Sequence, residues 1–264
     1  MRVGFMGTGR MGAPMVRRLV EAGHQVRALG RTDEKRSALA ELGAVPTKSI
    51  RAVTDGADAV VVCVFTDDQV QQICEDLPAE MAPGAVLILH TTGSPRTAQR
   101  IAEQHPHVGV IDAPVSGGPH DIAAGTVTLF VGGADDTVAA ARPILDAYGD
   151  PVLHVGPLGA GQTVKLINNA MFAAQIGVVA EGARIGKSLG VAEADLLAAL
   201  GHGSSASKVL GMVARAGSAD GFIAAVAEFV GKDVAVVRDT AAGLNTELGL
   251  LDPLLSRVTG TDAP

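Results

Sequence analysis

Lys165, Asn168 and Asn169 stand close together in a stretch that is otherwise uncharged. On a helix, residues i and i+4 share one face and residue i+3 lies beside them. An ammonium and a carboxamide on one face can hold a hydroxyl or carbonyl oxygen, and a lysine can exchange a proton with that oxygen. A lone lysine whose stem runs along an amphipathic helix toward water is the alternative, and the spacing alone leaves both open.

A second group of polar atoms lies in Ser116-Gly117-Gly118, just past a predicted strand at 108–112. This loop offers a hydroxyl and unobstructed backbone N–H groups. Such N–H groups can bind an anion, for example a carboxylate. An ordinary Ser-Gly-Gly turn is the alternative.

The chain begins with a predicted strand at 2–6 that runs into Gly7-Thr8-Gly9-Arg10-Met11-Gly12 and a predicted helix at 13–21. This is a G-x-G-x-x-G pattern at a strand-to-helix junction, and a second strand is predicted at 25–29. Gly7 suits the tight turn, Gly9 lets a pyrophosphate approach, and Gly12 lets the helix pack closely. The helix N-terminus favours phosphate. The segment predicts dinucleotide binding rather than a merely glycine-rich turn.

The choice of dinucleotide depends on the end of the second strand. NAD enzymes usually place a carboxylate there for the ribose 2′-OH, and NADP enzymes place a cation for the 2′-phosphate. Here Gly30 takes the carboxylate position, and Arg31 and Thr32 follow. Arg31 can donate two hydrogen bonds to phosphate and Thr32 a third, which favours NADP(H). A solvated turn in which Asp33 caps the next helix is the alternative.

Two further loops are expected to contact the cofactor, because the carboxyl ends of parallel strands line the binding crevice. Val64, Phe65 and Thr66 end the third predicted strand, and Thr92 follows the fourth. The Phe65 ring suits either packing on the adenine or filling the core.

Composition excludes several classes of protein. The 264 residues suffice for a substantial core, and a net charge of −7 with one Tyr and no Trp argues against nucleic-acid binding. No apolar run approaches the ~18 residues of a membrane span, and 166–180, with two Asn and a Gln, is predicted to be a buried helix. No signal peptide is visible, and Cys63 and Cys74 suit buried thiols, so a cytoplasmic location without a bound metal is expected.

The order of elements predicts an α/β fold, in which a Rossmann-type doubly wound, mainly parallel sheet is followed by an all-α C-terminal domain. Strands are predicted at 2–6, 25–29, 59–64, 86–89, 108–112, 127–132 and 152–155. Helices are predicted between them at 66–76, 95–104 and 136–148, and then at 162–189, 192–200, 206–216, 220–243 and 247–258. We place a dinucleotide-binding domain at 1–157 and a helical substrate and dimerisation domain at 158–264.

The first helix of the second half carries Gly177, Gly182 and Gly186. Each interior glycine costs a helix about 1 kcal/mol relative to alanine. Close approach of another helix would offset that cost. We therefore expect a homodimer, or a higher homo-oligomer, packed through the helical half.

Four segments in order resemble the β-hydroxyacid dehydrogenase family, which includes 3-hydroxyisobutyrate dehydrogenases, tartronate semialdehyde reductases and glyoxylate/succinic semialdehyde reductases. They are 7–15, 112–118, 159–169 and Lys232-Asp233. The resemblance implies that Lys165 is the general acid/base, that Asn169 holds the substrate and that Ser116-Gly117-Gly118 binds its carboxylate. It also implies that Thr92 contacts the cofactor side of the site and that Lys232 lies near the nicotinamide and the substrate.

Some positions depart from the family. His120, Asp121 and Ile122 follow the Ser-Gly-Gly loop, where 121 and 122 are commonly small, and Leu89 replaces a residue that is often acidic. Ala225 stands where an aromatic residue is usual, and the last helix ends early. The natural substrate, the direction of the reaction and the role of the altered loop therefore stay open.

The sequence thus predicts an oxidoreductase that transfers a hydride between NADP(H) and a small β-hydroxyacid or its semialdehyde. One alternative is an imine reductase of the same fold, although such enzymes usually carry Asp or Tyr at the position of Lys165. The other is a non-catalytic NADP-binding scaffold protein. Retention of Lys165 favours the dehydrogenase.

Overall fold

The computed structural model describes residues 1–260. It contains two compact units, one covering Met1–Lys165 and the other beginning at Leu166. The sequence predicts a boundary at 157/158, just before a long helix, whereas the two units divide inside that helix. Its first turns are bonded to the sheet, as described below.

The first unit is built on one nine-stranded sheet. Its strands are β1 (Arg2–Met6), β2 (Gln25–Leu29), β3 (Val45–Thr47), β4 (Ala59–Val62), β5 (Val86–Leu89), β6 (Gly109–Asp112), β7 (Val115–Ser116), β8 (Val127–Gly132) and β9 (Gly149–Gly156). The order is β3-β2-β1-β4-β5-β6-β8-β7, with β9 paired to β8. Strand β8 runs antiparallel to β6 and β7, and the other pairs are parallel. The order reverses between β1 and β4, the switch point at which doubly wound sheets bind their ligands.

Helices cover both faces of this sheet. They are α1 (Gly12–Glu21), α2 (Asp33–Glu41), α3 (Ile50–Thr54), α4 (Asp67–Cys74), α5 (Pro95–Gln104), α6 (Pro119–Ala124) and α7 (Asp135–Leu145), with a 3₁₀ turn at Leu77–Glu80. Successive residues of β4 alternate between two cores, since Ala59 and Val61 join one cluster and Val60 and Val62 the other. Burial on both faces explains why this strand is apolar throughout.

The second unit is helical. It contains most of α8 (Ala160–Ser188) and all of α9 (Glu193–Leu200), α10 (Lys208–Ala216), α11 (Ala219–Gly243) and α12 (Leu251–Thr259). Its core includes Ile176 on α8, Val213 on α10 and Leu255 on α12. The predicted fold class, a Rossmann-type sheet followed by an all-α domain, is confirmed.

Helix α8 is buried on one side only. By length and composition it is apolar enough to cross a membrane, but core helices also meet that criterion, and 44% of its apolar window is buried. The predicted helix at 166–180 is present. The prediction that it is buried is correct for the face that carries Ala173 and Ile176 and wrong for the opposite face. That face exposes Ile167, Met171 and Val178.

Candidate active site

Three glycines shape the loop between β1 and α1. Gly7 has a φ of +93°, and a Cβ there would overlap the carbonyl oxygen of Cys63. A Cβ at Gly12 would overlap the carbonyl oxygen of Gly7, so α1 begins directly against the loop. A Cβ at Gly9 would lie within 4 Å of no atom of the described residues other than those of Gly9 and its chain neighbours. The loop thus leaves space for a pyrophosphate at the helix N-terminus, and the first turn of α1 carries no acidic residue.

The other residues of the loop differ in exposure. Thr8 and Met11 are half-buried, and Arg10 is exposed. The backbone N–H of Ala13 donates to the carbonyl of Gly9 at 3.0 Å. This bond fixes the loop to the first turn of the helix.

Gly30, after β2, has no room for the acidic side chain that NAD enzymes use. A Cβ there would lie 2.5 Å from Cγ of Arg36, whose guanidinium donates to the carbonyl of Gly30 at 2.7 Å and also pairs with Asp33. Arg31 is exposed, and no carboxylate within residues 1–260 forms an ion pair with it. Among these cations, Arg31 is the one available to a phosphate.

The N-cap of α2 differs from the prediction. Thr32 caps the helix, and its Oγ1 accepts a hydrogen bond from the N–H of Lys35 at 3.3 Å. The proposed cap Asp33 is already the first helical residue and pairs with Arg36. The Glu34 carboxylate accepts hydrogen bonds from its own backbone N–H and from the Thr32 hydroxyl, and these bonds lower the pKa of Glu34.

The loops after β4 and β5 are tied to each other. The N–H of Val64 donates to Oγ1 of Thr91 at 2.9 Å, and that hydroxyl donates to the Val64 carbonyl at 3.0 Å. Thr66 caps α4, and Thr92 is half-buried. Phe65 is 49% exposed, so the expectation that it fills the core is wrong, and packing on the adenine remains a prediction.

Lys165 and Asn169 lie one turn apart on α8 and are both buried, with 9% and 6% of their surface exposed. The neighbouring Asn168 donates to Oδ1 of Asn169 at 3.3 Å. The Nδ2 group of Asn169 is buried and has no hydrogen-bond partner among the described residues. Buried donors are normally paired, so this amide has the properties of a group that binds a ligand oxygen.

The Ser116-Gly117-Gly118 loop is less open than predicted. Gly117 has a φ of +143°, which favours glycine. The N–H of Gly118 is not unobstructed, because it donates to Oδ2 of Asp121 at 2.6 Å. Asp121 lies in the first turn of α6, and its other oxygen faces His120 at 3.2 Å. His120 itself is exposed, and the departure at 121 is the one that changes the loop.

Asp112, at the end of β6, anchors the start of α8. Its side chain is fully buried, and its two oxygens accept hydrogen bonds from the N–H groups of Gly159 and Gln162, each at 2.6 Å. Burial raises the pKa of this carboxyl, and the N–H bonds oppose that rise. A carboxylate at a helix N-terminus also interacts favourably with the helix dipole. The turn that precedes Lys165 is therefore fixed to the sheet.

His90, after β5, forms a second buried polar link. Its Nδ1 lies 2.5 Å from the carbonyl of Ala113, and its Nε2 lies 2.7 Å from the hydroxyl of Tyr148. Burial lowers the pKa of His90 to about 4, so the ring is neutral near pH 7. A neutral ring that donates to Ala113 and accepts from Tyr148 satisfies every group.

The structure places the predicted site residues in both units. The sheet unit holds the glycine loop, Arg31, Thr32, Val64, Phe65, Thr66, Thr92, the Ser-Gly-Gly loop and Lys165. Asn169 and Lys232 belong to the helical unit, where Lys232 lies on α11 and its Nζ is 3.8 Å from Asp233. Asp112, Gln162 and Tyr148 were not predicted to have a role in the site. A charged residue ending the apolar run Val110-Ile111 was the available signal for Asp112.

Two family models together cover almost the whole chain. The NAD binding domain of 6-phosphogluconate dehydrogenase matches residues 2–156. A model described as the NAD-binding part of NADP-dependent 3-hydroxyisobutyrate dehydrogenase matches residues 159–256. The chain belongs to the β-hydroxyacid dehydrogenase family. It is thus a member of a family of oxidoreductases that use a nicotinamide dinucleotide.

Similar proteins support the assignment of this chain to the β-hydroxyacid dehydrogenase family. An NAD-dependent L-serine dehydrogenase from Pseudomonas aeruginosa is 35% identical over 77% of this chain and 70% of its own length. A 3-hydroxyisobutyrate dehydrogenase from Mycobacterium tuberculosis, solved with L-serine, is 28% identical, with a TM-score of 0.88 over 98% of this chain and 92% of that one. An imine reductase from Pseudomonas sp. is 23% identical, with a TM-score of 0.68 over 97% and 91% of the two chains, which shows a shared fold only.

Proposed function

We propose that the protein transfers a hydride between NADP(H) and a small β-hydroxyacid or the corresponding semialdehyde. The observation that supports this most is the pair Lys165 and Asn169, which lie one turn apart on α8, with the Asn169 Nδ2 group buried and without a hydrogen-bond partner within residues 1–260. An ammonium beside a free carboxamide donor suits one substrate oxygen that changes between carbonyl and hydroxyl. Neither group would be needed by a scaffold that only bound a nucleotide.

In this proposal the cofactor supplies or accepts the hydride, and side chains of the protein donate or accept the proton. During reduction, Lys165 donates a proton to the alkoxide that develops on the substrate; during oxidation, the neutral amine takes the hydroxyl proton. Asn169 donates a hydrogen bond to the same oxygen and orients it. Lys232 is assigned by resemblance to the nicotinamide side of the site, where a second cation would favour proton loss from Lys165.

The substrate carboxylate is assigned to the Ser116-Gly117-Gly118 loop. Because Asp121 already accepts from the N–H of Gly118, the Ser116 hydroxyl carries more of this task than the family pattern implies. The negative charge of Asp121 also disfavours a second carboxylate close by. We therefore expect weaker carboxylate binding here than in relatives with a small residue at 121.

The preference for NADP(H) rests on the end of β2. Arg31 is exposed, and Arg36 covers Gly30, where an acidic residue would otherwise bind the ribose 2′-OH. A guanidinium matches phosphate oxygens bidentately. The L-serine dehydrogenase relative is named as NAD-dependent, so cofactor choice is the part of the proposal that most needs measurement.

A specific observation weighs against the imine reductase alternative. Lys165 is buried on α8, at the position where imine reductases usually carry Asp or Tyr. The proposal also includes a homodimer formed through the exposed apolar face of α8. It further includes a cytoplasmic location, which suits two cysteines that form no disulfide within residues 1–260.

The proposal is tested with a panel of substrates and both cofactors. Oxidation of NADPH and of NADH is followed with glyoxylate, succinic semialdehyde, butyraldehyde and a cyclic imine, and reduction of NADP⁺ and of NAD⁺ with 3-hydroxyisobutyrate and L-serine. We expect turnover with the carboxylate-bearing aldehydes or hydroxyacids and little with butyraldehyde. Turnover of the imine alone would favour the alternative enzyme, and tight NADPH binding without any turnover would favour the scaffold.

A further inference from the structure

We propose that Gln162 is a positioning residue that fixes the backbone around Thr92 relative to Lys165. This inference rests on the proposed function, because it assigns Thr92 to the cofactor side and Lys165 to proton transfer. Gln162 is one turn before Lys165 on α8, and both belong to the sheet unit. The residue itself does not need to touch the substrate.

The side chain of Gln162 forms hydrogen bonds with the backbone of the residues before and after Thr92. Its Nε2 donates to the carbonyl of Thr91 at 2.7 Å, and its Oε1 accepts from the N–H of Gly93 at 3.0 Å. One carboxamide therefore binds the backbone on both sides of a single residue. With 3% of its surface exposed, Gln162 forms these bonds away from water.

The backbone of Gln162 is fixed as firmly as its side chain. Its N–H donates to Oδ2 of Asp112, while Oδ1 of the same carboxylate holds Gly159. On the other side, Oγ1 of Thr91 exchanges two hydrogen bonds with Val64. A continuous set of hydrogen bonds thus runs from the loops after β4 and β5, where the bonds are part-buried, through Gln162 to the first turn of α8, where they are buried.

This arrangement has a direct consequence for the proposed reaction. The hydride and the proton must reach one carbonyl group in a single aligned geometry, so Thr92 and Lys165 must keep a constant relation. A misplacement of about 1 Å can lower a rate by about 10²-fold. Losing the Gln162 bonds would also leave the Thr91 carbonyl and the Gly93 N–H buried and unpaired.

The experiment compares three variants by steady-state kinetics with the best substrate of the panel, using NADPH and NADPH deuterated at C4. Gln162→Met keeps the shape of the side chain and removes both hydrogen bonds. Gln162→Glu keeps the acceptor for Gly93 but donates to Thr91 only when protonated. Gln99→Met is the matched control, because Gln99 also donates to a backbone carbonyl just before α8, that of Leu158 at 3.1 Å, but is exposed.

We expect Gln162→Met to lower kcat by about 10- to 100-fold, with the NADPH Kd and the substrate KM changed less than about threefold. The deuterium isotope effect on kcat should rise, because hydride transfer becomes slower than product release. The ratio of the Gln162→Glu kcat to the wild-type kcat should rise as the pH falls, because the protonated glutamic acid can donate to the Thr91 carbonyl. Gln99→Met should behave like wild type.

Two results would overturn the inference while leaving the proposed function intact: an unchanged kcat in Gln162→Met, or a loss of kcat with an unchanged isotope effect. If Gln162→Met does not fold, Gln162→Glu decides, and a pH profile parallel to wild type counts against the inference. Absence of turnover by the wild-type protein on the whole panel would instead refute the proposed function, and the inference would fall with it.

Discussion

At the scale of single residues, two arginines close to the end of β2 have different tasks. Arg36 holds the Gly30 carbonyl and pairs with Asp33, so it shapes the turn. Arg31 is exposed and adjacent to Thr32, whose hydroxyl caps α2 and also bonds the Glu34 carboxylate. This division makes Arg31 the residue on which discrimination between the two cofactors should depend.

We expect NADPH to bind at least about tenfold more tightly than NADH, because a charge-assisted hydrogen bond contributes about 1.5–3 kcal/mol. Arg31→Ala should remove most of this preference by weakening NADPH alone. Fluorescence titration of both reduced cofactors measures it. Arg17→Ala, which removes an exposed cation from α1, is the charge-matched control and should leave the preference intact. Equal affinities in the wild type would contradict the assignment.

The sequence predicted features that depend on residue type and spacing alone. It did not predict features that depend on which side chain packs beside a residue. The tight turn at Gly7 and the close packing at Gly12 follow from the spacing of the glycine motif. The structure has no room for a Cβ at either position. The capture of the Gly118 N–H by Asp121 could not be predicted. It depends on a side-chain rotamer in the first turn of α6, which no spacing rule specifies.

At the scale of elements, the loops that follow β5 and β6 are held by buried polar side chains. His90 links the Ala113 carbonyl to the Tyr148 hydroxyl, and Asp112 holds the start of α8. Buried polar groups of this kind stabilise only while every partner is satisfied. The sheet unit should therefore respond to pH through His90.

The folded-state pKa of His90, about 4, is below its ordinary value of 6.5. The unfolded chain binds the proton first as the pH falls, so stability present above about pH 6.5 is lost on the way to pH 4. When the pH falls from 7 to 5, proton uptake at this histidine in the unfolded chain should alone lower the unfolding free energy by about 2 kcal/mol. Tyr148 is the single tyrosine and there is no tryptophan, so tyrosine fluorescence during urea unfolding reports on this unit.

His90→Asn should be less stable at pH 7 and should lose most of this pH dependence. His202→Asn removes an exposed histidine and should keep the wild-type difference between the two pH values. An undiminished pH dependence in His90→Asn would show that other groups cause it.

Most strands and helices could be predicted because their apolar patterns are long. The missed strands are short: β3 has three residues and includes Pro46, and β7 has two. Such segments carry too few residues for a period of two to be seen. They are strands because the sheet beside them provides hydrogen-bond partners, which is information that the local sequence does not hold.

At the scale of the whole molecule, the glycines of α8 differ in what lies against them. A Cβ at Gly177 would lie 2.6 Å from the carbonyl oxygen of Leu254, and one at Gly186 would overlap Leu196, so both glycines permit packing within the chain. A Cβ at Gly182 would lie within 4 Å of no atom of residues 1–260 outside its own turn of the helix. Gly182 lies among Val178 and Ile185 on the exposed apolar face, where a partner subunit is proposed to pack.

Gly182→Leu should weaken the proposed dimer by at least about tenfold, because a bulky side chain would hold the two surfaces apart. The monomer should keep its stability, since leucine favours helix more than glycine does and nothing lies against it. Sedimentation equilibrium at micromolar concentration measures the dissociation constant, and NADPH titration checks the fold. Gly211→Leu, on α10, is the control. A wild-type protein that is monomeric throughout this range would rule out the dimer.

The most direct test of the account concerns Lys165. Positioned proton transfer contributes about 10²–10⁴-fold to a rate, so Lys165→Ala should lower kcat by a factor in that range. Lys165→Arg should fail nearly as badly, because a guanidinium does not release its proton near neutral pH. Both variants should keep the wild-type NADPH Kd, since the phosphates are assigned to the glycine loop and Arg31. Lys187→Ala, near the end of the same helix, is the control and should keep full activity. If Lys165→Ala retains more than about a third of wild-type turnover, well outside the range expected for proton transfer, the catalytic role assigned to this lysine is wrong.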